Sequence, residues 1–338
     1  MSGWDGNWYR IIIHDWYHAN LPSAVFYPLY PFVVWIASLF GLINLTLASF
    51  IVNIVSLWLA IVALVKITRL LISEKYAYLP ILFLLVSPSA LFMHMFYTEA
   101  LFLSIGLWSY LAALRKQWIL MGALLAIITA CRLPGLLFVA LCFFEFLREH
   151  QWDIRNLITK KVLVFLLAPI GFVVYGLYLL MLRGDFLGML HAYTYTSDWS
   201  YQHFNLNIIQ TILRAFYQTL RAIVGPRPFD NDIFINHFLP VVALGFIVLS
   251  SLYLIFVQKK KFVPIGLFGL LSTVLFTLNN NVVSLHRYAL PVIGIYLFLT
   301  LIWIRYRTAK YILIAGCLVS FLLQIYLLSQ FINKVFVG

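Results

Sequence analysis

Acidic residues are scarce in this chain, 11 Asp and Glu among 338 residues, so each carboxylate beside an apolar segment needs a reason to be there. Asp5 sits among aromatics in Trp4-Asp5-Gly6-Asn7-Trp8-Tyr9-Arg10, and Glu99 opens an apolar run in Tyr97-Thr98-Glu99-Ala100-Leu101-Phe102. An ionisable group at a membrane edge is costly to bury, which makes it a functional candidate by default. For Glu99 the alternative is an acid that complements a helix start, with Thr98 near the cap. Arg132, in Cys131-Arg132-Leu133-Pro134-Gly135, carries a planar fork of donors suited to phosphate; its alternative is a snorkelling anchor. Asn279-Asn280-Asn281, followed by Ser284-Leu285-His286-Arg287-Tyr288, reads as a sugar- or phosphate-binding loop or as an ordinary polar turn. His14, Asp15 and His18 are spaced so that both imidazoles can share one face, as a metal would require, or they are interfacial polar residues.

The elements that must position these groups are membrane helices. The chain is 64% hydrophobic and 10% charged, whereas about a quarter of a soluble domain is charged. Apolar runs of membrane-crossing length recur, and nothing alternates as barrel strands do. The fold class expected is therefore an all-α, polytopic integral membrane protein forming a single membrane-embedded domain over residues 1–338. About ten spans are read, at 44–65, 77–93, 98–114, 118–131, 135–147, 162–182, 238–257, 262–278, 288–304 and 311–332. Those at 118–131 and 135–147 are short and meet at a broken polar corner. Residues 1–25 have neither the basic start nor the apolar core of a signal peptide. Cys131, Cys142 and Cys317 stand at unrelated spacings and imply neither a disulfide nor zinc.

Orientation follows from the basic residues. With Lys66, Arg69 and Lys75 inside, 15 of the 23 Lys and Arg fall in inward loops, the direction of the positive-inside rule. The net charge of +12 is thus a topology signal and not a nucleic-acid footprint. Residues 26–42 fit an amphipathic or re-entrant helix at the outer interface, with Tyr27, Tyr30 and Trp35 at headgroup depth. Residues 1–43 then form an outer first loop and 183–237 a long outer loop carrying Asp185, His191, Asp198, His203, Asp230 and Asp232. In this frame Asp5, Glu99, Arg132, His286 and Arg287 all lie on the outer side, although none of them was used to set it. Their convergence points to an outer active site.

The order Trp4-Asp5 with Trp8-Tyr9, then Phe26-Tyr27-Pro28-Leu29-Tyr30-Pro31, then Ser87-Pro88-Ser89 leading to Tyr97-Thr98-Glu99, then Arg132 with Gly135, resembles the class V phosphatidylinositol-glycan mannosyltransferase family of GT-C type membrane glycosyltransferases. The likeness covers residues 4–147, and beyond them Arg287-Tyr288 before Leu290-Pro291. Neighbours of the two arginines differ from the family pattern, as does the span that the family places before Trp-Asp; a missing upstream helix is the corresponding expectation. The resemblance implies a polyprenyl-phosphate sugar donor, a lipid or glycan acceptor, and inverting transfer of a hexose, mannose by family. It implies Asp5 as general base, Glu99 orienting substrate or holding an arginine, and Arg132 and Arg287 on the leaving phosphate. Trp4, Tyr97, His286 and Tyr288 complete the expected substrate-binding set. No cofactor is assigned, a divalent metal being left open; the other partners are membrane lipids, and no nucleic acid. The protein would sit in the cell membrane of a prokaryote or the endoplasmic reticulum membrane of a eukaryote. A transporter or flippase of a lipid-linked sugar and a non-catalytic scaffold are the alternatives.

Overall fold

The computed structural model describes residues 3–17, 22–153, 155, 159–192, 205–225 and 230–338. The regular elements among them are helical. In chain order they are α1 (Asp5–Asp15), α2 (Leu29–Ala37), α3 (Leu45–Leu71), α4 (Leu79–Leu85), α5 (Glu99–Leu114), α6 (Trp118–Thr129), α7 (Gly135–Glu149) and α8 (Ile170–Arg183). There follow α9 (Gly188–His191), α10 (Ile208–Val224), α11 (Asn231–Ile233), α12 (Leu239–Phe256), α13 (Val263–Thr277), α14 (Leu285–Tyr288), α15 (Gly294–Arg305) and α16 (Ala309–Ile332). Five helical stretches are long and apolar enough to cross a membrane: Leu45–Leu71, Lys160–Arg183, Asn231–Phe256, Lys260–Thr277 and Ala309–Ile332. Shorter apolar helices are α5, α6 and α15. The protein is a multi-pass integral membrane protein.

Two compact units divide the chain. The first comprises residues 1–78 and 91–199, the second residues 79–90 and 200–338.

In the first unit α3 shows how these helices are built. Asn44 caps it, its side chain accepting from the Thr46 and Leu47 amides, which satisfies donors a helix start leaves orphaned. One stripe, including Ala48, Val52, Ser56, Ala60, Ala63 and Ile67, is buried, while Ile51, Ile54, Val55 and Trp58 are exposed. A helix apolar on both faces suits protein on one side and lipid on the other. α3 packs on α5, whose Gly106, Ala112 and Ala113 are buried. Small residues let membrane helices approach closely. At one end of the pair Lys66 lies over the Trp108 ring, and Lys116 of the following turn pairs with Glu149. At the other end Arg10 donates to the Thr46 hydroxyl and Asn53 to the Met95 carbonyl. Within this unit the basic loops and the acidic, aromatic segment therefore lie at opposite ends of α3.

Residues 26–42 contain α2, whose nine residues span only about 14 Å, too short for a core of about 30 Å. It stops at Ser38, whose hydroxyl donates to the Trp35 carbonyl and accepts from the Gly41 amide. Phe32, Ile36 and Phe40 are exposed beside it. The corner expected between 131 and 135 is present: α6 ends at Thr129 and α7 begins at Gly135. A Cβ on Gly135 would stand 2.7 Å from the Ile128 carbonyl oxygen, so the turn needs glycine for its close approach.

Three expected spans are interrupted: 162–182 changes from a 3-10 helix to α8 across Ala168–Pro169, 288–304 turns between α14 and α15, and 77–93 breaks as well. The stretch 77–93 is α-helical only over α4 and then passes into a 3-10 turn at Pro88–Met93. Proline disfavours the α conformation in the residue before it, here Ser87. The 183–237 stretch, read as a loop, contains the 17-residue α10, and the 1–43 stretch, read as an outer first loop, contains the eleven-residue α1. All three cysteines are free.

Gly171 tests how tightly the first unit is packed. Its Cβ would meet the Ala126 carbonyl oxygen at 2.3 Å and the Ala130 amide at 2.5 Å, both backbone, so α8 must move off α6. Gly171→Ala should cost about 1–3 kcal/mol, read as a lower melting temperature in detergent. Gly245→Ala, where nothing lies within 4 Å of the added carbon, should be neutral or slightly stabilising.

Candidate active site

The first unit brings together the N-terminal helix, the start of α5 and the corner after α6. Glu99 is the first residue of α5 and is 4% exposed. Arg132 reaches across from the corner, its Nη1 donating to Glu99 Oε1 at 2.7 Å, and its guanidinium lies 5.9 Å from the Phe102 ring centre. Both readings of Glu99 are compatible with this geometry: the carboxylate complements the α5 N-terminus and also holds Arg132. The snorkelling alternative for Arg132 is not what the contacts describe, since its charge is turned onto a buried acid.

The corner is fixed from several sides. The Leu29 amide donates to the Ala130 carbonyl at 3.1 Å, so the start of α2 satisfies the end of α6. Thr129 donates to the Ala168 carbonyl at 2.7 Å. The Arg132 carbonyl accepts from the Gly135 amide, closing the turn.

Asp5 stands in the first turn of α1, half-buried, where a carboxylate is favoured by the helix dipole. Gly6 beside it packs on Phe96, with space for a Cβ limited to 3.2 Å from the Phe96 carbonyl oxygen. Tyr97 is buried and donates to the Gly3 carbonyl at 3.4 Å. Trp4, at the N-cap of α1, is exposed. The N-terminal helix is thereby docked on the segment that leads into Glu99.

Tyr9 links these groups. It is buried one turn after Asp5 and meets Phe26 and Tyr30 edge to face at 5.2 and 5.1 Å. Burial pushes its phenol well above the ordinary range; the Arg132 charge opposes this, and the Asp5 and Glu99 carboxylates add to it. One phenol thus feels both acids and the guanidinium. Tyr9, Tyr30 and Phe96 were not among the expected site residues. The i, i+4 spacing of Asp5 and Tyr9 was the available signal, once residues 5–15 are read as helix.

In the second unit His286, Arg287 and Tyr288 form the short helix α14. His286 and Arg287 are buried and engage the tail beyond α16: His286 Nε2 lies 2.9 Å from the Val337 carbonyl, and Arg287 Nη1 donates to the Gly338 carbonyl at 2.9 Å. Arg287 Nη2 also donates to the Tyr288 hydroxyl at 3.4 Å. Burial lowers the His286 pKa to about 4, assisted by the Arg287 charge and opposed by the Val337 hydrogen bond. The imidazole is then neutral near pH 7, with Nε2–H the donor to Val337. Of the Asn triplet, the Asn279 carbonyl accepts from Thr211 at 3.0 Å.

His14 pairs with Asp15 at 2.6 Å, while His18 lies outside the described residues, as do Asp198 and His203. Asp185 pairs with His191, Asp230 caps α11, and Asp232 accepts from Asn236. Among the described residues no group of three His, Cys, Asp or Glu is arranged to hold a metal ion.

No protein-family model matches the chain, and no curated protein matches it in sequence. The fold is similar to the crystal structure of ArnT from Cupriavidus metallidurans in the apo state, with a TM-score of 0.59 and 17% identity over 93% of this chain. The chain spans 58% of the length of ArnT. The shared architecture is a polytopic, helical membrane fold.

Two outcomes follow from the geometry. Arg132→Ala removes the guanidinium from the buried Glu99 carboxylate and should cost about 3–5 kcal/mol, whereas Arg132→Met with Glu99→Gln should recover much of that loss in thermal unfolding. For His286 the folded pKa lies below the ordinary 6.5, so the unfolded chain binds the extra proton first. Its contribution is complete above pH 6.5 and is lost as pH falls toward 4. His286→Gln should flatten the acid side of the melting-temperature profile across that window.

Proposed function

We propose that this protein is a membrane glycosyltransferase acting as one membrane-embedded machine, which moves a hexose from a polyprenyl-phosphate donor to a hydroxyl of a lipid or glycan acceptor at the outer face. The observation that carries the reading is the docking of the helix that bears the half-buried Asp5 on Phe96 and Tyr97, the segment that leads into the Glu99–Arg132 pair. The polytopic helical fold shared with ArnT is compatible with this reading; the lipid-linked donor and mannose rest on the class V resemblance.

The reaction is a single inverting displacement. The acceptor oxygen bonds to the anomeric carbon as the bond from that carbon to the phosphate oxygen breaks. Asp5 takes the hydroxyl proton, and the electron pair of the broken bond leaves with the polyprenyl phosphate. Arg132 faces the charge that develops there, aimed in advance by Glu99, so no reorganisation is needed when the charge appears. Glu99 is in this reading a positioning residue, and Asp5 the catalytic one. A substrate role for His286, Arg287 and Tyr288 would require a ligand to compete with the tail carbonyls for the same donors.

Transfer by the purified protein in lipid, with polyprenyl-phosphate-mannose compared against a nucleotide-mannose, tests the proposal. Asp5→Asn should lower turnover from the lipid donor by about 10²- to 10⁴-fold while donor binding persists. A loss below tenfold would remove Asp5 as the base. Transport of the lipid-linked sugar without a covalent product would replace the transferase with a flippase.

A further inference from the structure

The helix α10 divides its surface three ways. Successive residues turn by about 100°. Thr211, Ala215 and Thr219 fall on one face and are buried. Ile209, Leu213, Phe216, Tyr217, Leu220 and Val224 fall on a second and are exposed, from 44% for Leu220 to 83% for Val224. Gln210, Arg214, Gln218 and Arg221 occupy the third, each face taking roughly a third of the circumference. Two environments, protein and water, do not account for three faces. Six large apolar side chains in one contiguous patch mark a surface that something apolar covers.

We infer that α10 is an interfacial helix bound to an anionic lipid surface, its apolar face among the acyl chains and Arg214 and Arg221 on the headgroup phosphates. Its depth is set by its anchors. Thr211 donates to the Asn279 carbonyl at 3.0 Å and the Asn205 amide to the Leu278 carbonyl at 2.6 Å. These acceptors directly follow α13, part of a membrane-crossing stretch, so α10 is tied at the level where that stretch ends. It also packs on α12, whose Val242, Phe246 and Leu249 are exposed in the manner of lipid-facing residues. The charge fits the same occupant: α10 carries two arginines and no acid, and basic residues on an interfacial helix attract anionic lipids. An open cleft on the helix joins the two outer faces, lined by Ile209, Leu213 and Tyr217 with Asn207, Gln210 and Arg214. It offers an apolar wall and a guanidinium to one amphiphile.

The test uses the full chain in nanodiscs with Cys317→Ser, spin-labelled at Leu213→Cys or Gln218→Cys, and collision with oxygen and with a water-soluble nickel chelate. Oxygen should relax the 213 label several-fold more than nickel does, and the order should reverse at 218. Nickel access at 213 equal to that at 218 would place the face in water and overturn the proposal. Dipolar broadening between 213 labels would give the face to a second copy instead. Replacing phosphatidylglycerol by phosphatidylcholine should raise nickel access at 213, and Arg214→Gln with Arg221→Gln should abolish that lipid dependence. Dependence that survives the double variant would remove the arginines from headgroup recognition.

Discussion

The ion pair between Glu99 and Arg132 is the constraint on which the polar end of the first unit depends. A carboxylate with 4% exposure has lost most of its hydration, and the attraction of its partner offsets that loss only when the geometry is good. The pair therefore dictates where elements start and stop. Helix α5 must begin at Glu99, and the chain after α6 must turn sharply enough to point Arg132 back. Gly135 permits the turn, while the Leu29 amide and Thr129 hydroxyl hold its flanks.

Aromatic packing makes the same place dry. Tyr9, Tyr30 and Phe96 interlock, with Tyr30 5.9 Å from Phe96 and 5.1 Å from Tyr9, and Tyr97 ties the cluster to Gly3. Low polarity strengthens electrostatic interactions and raises the cost of an unpaired polar group in equal measure. The two acids consequently occupy different settings. Glu99 is enclosed and paired, whereas Asp5 stands at the rim on a separate helix that is held by packing. That difference suits the roles proposed for them, one acid to organise and the other to exchange a proton.

Much of this was legible in the chain. Five of the ten apolar runs correspond to helical stretches long enough to cross a membrane, and Pro134-Gly135 marks the corner. A short helix within 26–42, expected from the charge frame and the aromatics, is present as α2. Other features were obscured for identifiable reasons. Helix α1 mixes polar and aromatic residues, so its period is masked, and with it the Asp5–Tyr9 pairing. Helix α10 sits among loop-like residues, and the break at Pro88 lies within a run whose hydropathy hides it. The partners of Glu99 and His286 are tertiary, 33 and 51 positions away, and no local pattern encodes them. The role of His286 and Arg287 in holding the tail belongs to that class.

The placement of α4 bears on how the protein is made. Residues 79–90 belong with the second unit although the chain has to that point built the first, and α4 packs on α15. Insertion into the membrane proceeds from the N-terminus, so α4 emerges long before its neighbour exists. It must wait until α15 has been synthesised before the two can pack. Biogenesis of the second unit is thus a closure and not an addition, and a ribosome stalled anywhere between the two leaves an orphan segment for quality control to find.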